Sequence, residues 1–271
     1  MKLITTSFIV TLLSSALTAS ANVSVDVCSV YNSYQLVNLQ LSGVKGSVGT
    51  KCFKDIGGRG YVAGFINFST NRRDALWVVD QFRQTANYAG EFDAYYNTLE
   101  ANAWAKSGST QNLDGFCDAW KKANTNPEFF GIQTNVMRQL YDQPAYTFFK
   151  QLGGKYAVTR SVLFNTAITN GFDGGPNTLA SLIVTTNQSF TKKTTGSSGN
   201  SLSVNGYQVD EIVWLKKFLD VRLNANGYAD QSNINSYRYI INNGAYDWKP
   251  SVKVLDNSGK VVSVDCSAIR N

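Results

Sequence analysis

The chain has 271 residues, with 25 Lys and Arg against 19 Asp and Glu, a formal net charge of +6 and no histidine. The missing histidine excludes Ser-His-Asp and Cys-His catalysis, imidazole proton transfer and His-based zinc chemistry. An enzyme of this composition has to work with carboxylates, and glycoside hydrolysis is a secreted chemistry that needs only a carboxylate pair.

The first elements in chain order are an address. Lys2, the mostly apolar run from Leu3 to Leu17 and the Ala19-Ser20-Ala21 triplet read as a secretory signal peptide over residues 1–21. The mature protein, residues 22–271, is then expected to be extracellular. No later apolar run reaches the roughly 18 residues a membrane span needs, so no membrane partner is expected. In an oxidising compartment the four cysteines, Cys28, Cys52, Cys117 and Cys266, are expected to form two disulfides, in any of three pairings. No metal site is expected, because there is no C-x-x-C pair and no histidine to complete one. The basic residues are scattered, with only doublets such as Arg72-Arg73 and Lys121-Lys122, so nucleic acid is not expected as a partner.

Small β elements are predicted within residues 43–68. From there the pattern is mainly helical. A helix is predicted from Asp74 to Ala89, with apolar Leu76, Val78, Val79 and Phe82 at helical spacing and Asp74 as its N-cap. Further helices are predicted from Glu91 to Ala105, from Asp114 to Lys122, from Pro127 through Tyr141, and from Pro144. The run from Tyr156 to Ile168 is apolar enough to be buried on all sides. Gly171 to Pro176 is a glycine-rich break, and the Ser/Thr/Gly/Asn-rich stretch from Lys192 to Gly206 reads as a flexible loop. An amphipathic helix follows from Val209 to Leu223, then a shorter one from Ile234 to Ile241. A hairpin around Asn257-Ser258-Gly259 closes the chain.

The chemistry concentrates in Asp55-Ile56-Gly57-Gly58-Arg59-Gly60-Tyr61-Val62-Ala63-Gly64, continuing to Phe68, with Asp74 six residues later. This stretch resembles the active-site signature of the family 46 chitosanases, which runs D-I-G-D-G-R-G-Y-T-x-G-x-x-G-F. Two positions depart from it: the aspartate between the family's glycines is missing, and its threonine is Val62. Phe116-Cys117-Asp118-Ala119-Trp120, Gln143-Pro144-Ala145, Phe218-Leu219-Asp220-Val221-Arg222 and Arg238 extend the resemblance in order over about Lys54 to Pro250.

The resemblance implies a mainly α (α+β) fold: a single catalytic domain of two lysozyme-like helical lobes, joined near residues 143–160, with a small β element and a central substrate cleft. It implies an inverting, carboxylate-based hydrolase of β-1,4-linked glucosamine polymers that needs no cofactor and acts as a monomer. In the family a glutamate about twenty residues before the signature arginine is the general acid. Here that region is Asn38-Leu39-Gln40-Leu41, and no glutamate precedes Glu91, so the general acid is unassigned. Asp55, the carboxylate nearest the lost aspartate, is the candidate catalytic base. Arg59, Tyr61 and Asp74 are the candidate substrate contacts, Asp74 through a glucosamine ammonium. Arg222 and Arg238 are the expected structural support, around Asn165 where the family has an aspartate. These departures make weak or lost activity an expected outcome, with an inactive glycan-binding or protein-binding relative as the alternative. Asn67-Phe68-Ser69 and Asn187-Gln188-Ser189 are glycosylation sequons.

Overall fold

The computed structural model describes residues 27–43, 49–172, 174–194, 196 and 198–266. The expected signal peptide and cleavage site lie outside the described residues.

Ten α-helices and seven short strands are described: α1 Val27–Ser42, β1 Cys52–Lys54, β2 Tyr61–Ala63, β3 Phe68–Ser69, α2 Arg73–Arg83, α3 Tyr96–Ala105, α4 Phe116–Ala123, α5 Pro127–Met137, α6 Gln143–Leu152, α7 Ala157–Asn170, α8 Leu179–Gln188, β4 Ser201–Val204, β5 Tyr207–Asp210, α9 Glu211–Asn226, α10 Gln231–Asn242, β6 Ser251–Leu255 and β7 Val261–Asp265. A π-helical segment, Arg138–Asp142, runs α5 into α6, and a 3₁₀ turn, Gly227–Asp230, joins α9 to α10.

The fold is two mainly helical lobes around a cleft. One lobe holds the antiparallel sheet β1-β2-β3, in which Phe53 pairs with Val62 and Val62 with Ser69, and helices α2 to α5. Its core is a knot of fully buried rings, Phe82, Phe92, Phe116, Trp120 and Phe129, in mostly edge-on and tilted contacts. The other lobe is organised on α7. Every residue from Ala157 to Ile168 is buried, because α1, α6, α8, α9 and α10 all pack against this helix. Glu211, itself fully buried, accepts hydrogen bonds from the backbone N–H groups of Lys155 (3.0 Å) and Tyr156 (3.1 Å), fixing the start of α7. Asp210 caps α9 through Ile212 N and Val213 N.

The disulfides are Cys28–Cys266 and Cys52–Cys117. The first ties the start of α1 to the residue after β7; the second ties β1 to α4. No described cysteine is free.

Three local expectations need correction, and one element was not expected. Helix α1 is an element that the sequence pattern does not announce. Its buried face mixes Leu36, Val37 and Leu39 with polar Asn32, Asn38 and Gln40, so the apolar stripe is broken. The helix expected from Glu91 begins only at Tyr96, because residues 91–95 form turns that place Phe92 in the aromatic core. The loop expected over residues 192–206 contains β4, paired to β5 by a two-residue Asn205-Gly206 turn. Both turn residues take positive φ (51° and 80°), as such hairpins require. Asp74 is not the N-cap of α2. That position is Arg72, without a side-chain cap bond, and Asp74 lies within the first turn of the helix and buried.

Candidate active-site cleft

The segment between β1 and α2 builds one wall of the cleft. Gly60 has φ +80°, and a Cβ there would lie 2.3 Å from Thr70 Oγ1, so the chain can pass only as glycine. Thr70 Oγ1 in turn accepts from Tyr61 N at 3.0 Å. Asn67, a third departure from the resembling signature, stands where that signature has glycine, and it takes φ +60°. Its Nδ2 donates to Leu41 O at 3.1 Å, joining this wall to the end of α1. Buried and so engaged, Asn67 is shielded from use as a glycan acceptor.

A cavity of about 590 Å³ lies between these residues, the C-terminal end of α7 and the start of α10. Gln40, Arg59, Asn67, Arg72, Asp74 and Asp230 contribute its polar lining. A second groove of about 570 Å³ continues from it past Arg72 and Asn170.

Asp74 is only 4% exposed. Its Oδ1 accepts from Ser69 N (3.0 Å) and Ala75 N (2.7 Å), and its Oδ2 accepts from the Tyr141 hydroxyl (2.7 Å). Burial pushes this carboxyl above the usual range, while Arg72 and the hydrogen bonds pull it back. Oδ1 is saturated; Oδ2 keeps room for one further donor.

Asp55 is bound up with Arg59. The guanidinium reaches Oδ1 at 2.9 Å and Oδ2 at 3.2 Å, and Arg59 N donates to Oδ2 at 3.1 Å. The Arg59 hydrogen bonds hold the Asp55 carboxyl below the ordinary range, which makes it a weak base. Arg59 lines the cavity; Asp55 stands behind it. Tyr61 lies outside the lining of both cavities, with its ring against Phe116 at 5.9 Å.

Behind the cleft floor, Arg222 is fully buried. It pairs with Asp230 in a two-nitrogen fork and donates to Thr166 Oγ1 (2.7 Å) and Asn165 Oδ1 (2.6 Å). Asn165 Nδ2 then donates to Gln40 Oε1 at 3.0 Å. The guanidinium has only donors, so it fixes the polarity of the whole relay. Asn165 must turn its oxygen toward Arg222 and its nitrogen toward Gln40, and Gln40 must turn its oxygen toward Asn165. Gln40 Nε2 is left as a buried donor without a partner among the described residues.

Arg238 is not part of this network. It meets Asp220 on the surface at 2.6 Å. The carboxylate that Asn165 lacks comes instead from Asp230, on the turn between α9 and α10, a residue the sequence reading did not single out. Asp230 is eight residues from Arg222, and no spacing rule marks the pair.

This architecture, a β-edged helical lobe and a helix-centred lobe closing on a polar cleft, is that of lysozyme-like polysaccharide hydrolases. The family model for glycosyl hydrolase family 46 matches residues 50–251. The chain belongs to that family. It is 36% identical to a chitosanase of Bacillus subtilis over 165 residues, which span 61% of this chain and 55% of that relative. The native chitosanase crystal structure from another Bacillus subtilis strain superposes with a TM-score of 0.76 at 26% identity, over 89% of this chain and all of that one. A family 46 chitosanase of Gynuella sunshinyii, solved with chitotetraose, superposes with a TM-score of 0.79 over 89% of this chain and 99% of that one, at 21% identity.

Proposed function

We propose that this chain is a secreted polysaccharide-binding member of the family, whose inherited reaction is hydrolysis of β-1,4-linked glucosamine chains and whose own turnover is weak or absent. The observation that carries this reading is the cleft floor. The side chain that α1 brings there is Gln40, with its amide locked by Asn165 and Arg222. An inverting hydrolase needs a proton donor and a water-activating carboxylate about 6.5–9.5 Å apart. An amide can hydrogen-bond a glycosidic oxygen but cannot give it a proton, and loss of one such group typically costs about 10²–10⁴-fold.

The carboxylates at the cleft are committed elsewhere: Asp230 to Arg222, Asp74 to Tyr141 and two backbone N–H groups, Asp55 to Arg59. In this reading Arg59 and Asp74 hold sugar, the free acceptor position on Asp74 Oδ2 taking a hydroxyl or ammonium donor. Asp55 is the base candidate for any residual turnover, and it would act only by loosening from Arg59. The relatives solved with chitotetraose or with six glucosamine units support a polysaccharide ligand.

The test is reducing-end release from soluble chitosan, together with glucosamine-oligomer binding, by the purified protein and its Asp55→Asn and Asp74→Asn variants. Binding by the wild type, weakened in Asp74→Asn, with turnover at least about a hundredfold below that of an active family member is the expected result. Turnover at ordinary family rates would reject impaired catalysis. Residual turnover unchanged in Asp55→Asn would reject Asp55 as base. No glycan binding at all would leave the reading as a secreted protein-interaction module.

A further inference from the structure

The second groove carries the same sign of charge as the polycationic ligand that the family resemblance implies. Its lining includes Arg72, Arg73 and Lys106, together with Asn71, Trp104 and Tyr141, and no carboxylate. Arg73 and Lys106 make no ion pair among the described residues, and both are exposed. Arg72 donates to Ile168 O at 3.1 Å. In the adjoining cavity the cations and anions cancel locally: Arg59 with Asp55, Asp230 with the buried Arg222, and Asp74 with the nearby Arg72, which leaves Arg73 and Lys106 as the unbalanced cations. The uncompensated charge of the whole cleft is therefore positive and sits in the second groove. A glucosamine polymer carries an ammonium on each unit and meets like charge there, an arrangement that costs affinity rather than adding it.

The groove is also built to bind. The Arg73 guanidinium carbon sits over the Trp104 ring, 3.6 Å from its centroid. A guanidinium held over a ring face keeps its N–H donors for other partners, and such a fork takes a carboxylate or sulfate in a two-point contact. Trp104 is 62% exposed, so ring surface remains for a pyranose face. Lys106 adds a point charge at the C-cap of α3. Cations beside an aromatic platform, with no competing carboxylate, match an acidic sugar.

We propose that this groove binds the acidic units of a glycan, carrying carboxylate or sulfate, and that the natural ligand is an acidic polysaccharide rather than pure polyglucosamine. This rests on the polysaccharide-binding reading above and names its substrate class.

Three hexasaccharides test it by calorimetry at about 50 mM salt, where screening is weak: a glucosamine hexamer, a hyaluronan hexamer bearing carboxylates only, and a chondroitin sulfate hexamer bearing both groups. At least one acidic hexamer should bind the wild type about tenfold or more tightly than the glucosamine hexamer, with affinity falling as salt rises. Preference for the sulfated hexamer over hyaluronan would identify sulfate as the recognised group; equal binding would identify the carboxylate. The double variant Arg73→Gln, Lys106→Gln should weaken acidic binding about tenfold, leave the melting temperature unchanged, and keep or improve glucosamine binding. Trp104→Ala should weaken whichever sugar binds. Glucosamine binding equal to or tighter than acidic binding overturns the proposal and leaves the broader reading standing, as does acidic binding indifferent to the double variant. Failure of all three sugars to bind overturns both.

Discussion

The buried Arg222–Asp230 pair offers a direct test of how this chain holds its cleft floor. Arg222 has no exposed surface, and Asp230 is 5% exposed. Asp230→Asn removes the only carboxylate bonded to the guanidinium among the described residues. The neutral acceptors Thr166, Asn165 and Thr169 remain, at 2.7, 2.6 and 3.3 Å, but they leave the charge uncompensated. Asp230 also accepts from Asn226 Nδ2 (3.0 Å) and Asn233 Nδ2 (2.9 Å), and the Nδ2 of an asparagine would face at least one of these donors or the guanidinium itself. Breaking a buried pair from one side costs about 3–5 kcal/mol. At about 2–4 °C per kcal/mol for a domain of this size, the melting temperature should fall by about 10 °C. The double variant Asn165→Asp, Asp230→Asn should recover about half or more of that loss, because it returns a carboxylate to the atom already 2.6 Å from Arg222. It should also turn Gln40 over. The carboxylate introduced on α7 would accept from Gln40 Nε2, which has no partner among the described residues in the wild type, so the buried donor would gain an acceptor. Chemical denaturation of the wild type, the single variant and the double variant measures the cycle. A single-variant loss below about 1 kcal/mol, or a double variant no more stable than the single, would refute the reasoning.

Removing the Cys52–Cys117 bridge by paired Cys→Ser substitution reopens a loop with a sequence separation of 65 and should cost about 4 kcal/mol in denaturant unfolding. Thiol titration of the denatured, unreduced protein should find essentially no reactive group. Gly60→Ala should lower stability by several kcal/mol, read by thermal melting, since it combines a positive φ with a Cβ placed 2.3 Å from Thr70 Oγ1; Gly58→Ala, also at positive φ but with nothing within 4 Å, should cost only about 1–2 kcal/mol. Asp74 has its folded pKa raised by burial, so its contribution is fully present below the ordinary aspartate range and is lost as pH rises through the folded value. The stability of the wild type relative to Asp74→Asn should therefore decline from acid toward neutral pH; a difference that grows with pH would contradict the assignment.

Much of the helical framework was legible because its patterns are strong. The continuous apolar run at α7 announces a helix buried on all sides, and Pro127 marks a helix start where proline costs nothing, whereas Pro144 follows directly on the π-helical turn that carries α5 into α6. The elements that escaped are those whose buried faces are polar. In α1, Asn32 is fully buried and donates to Trp248 O at 2.9 Å, a partner 216 residues away that no local pattern encodes. The β4–β5 hairpin was hidden by its Ser- and Gly-rich surroundings, although Leu202, Val204 and Val209 alternate about an Asn-Gly turn. At the site, the signature located Arg59 and Asp74 on the cavity wall. It could not place Asp230, whose role exists only because the turn after α9 folds back on Arg222. Nor could it reveal that Arg238 is diverted to Asp220 on the surface.

The Cys28–Cys266 bond joins two points 238 residues apart and so makes the described protein almost a covalent ring. A protease that cuts one peptide bond anywhere between those cysteines linearises the ring without releasing either piece. The helix carrying Gln40 stays fastened to the last strand, and the two walls of the cleft stay on one molecule. Nicked chains of this kind run as a single species on non-reducing gels and separate into two pieces only when thiol is added.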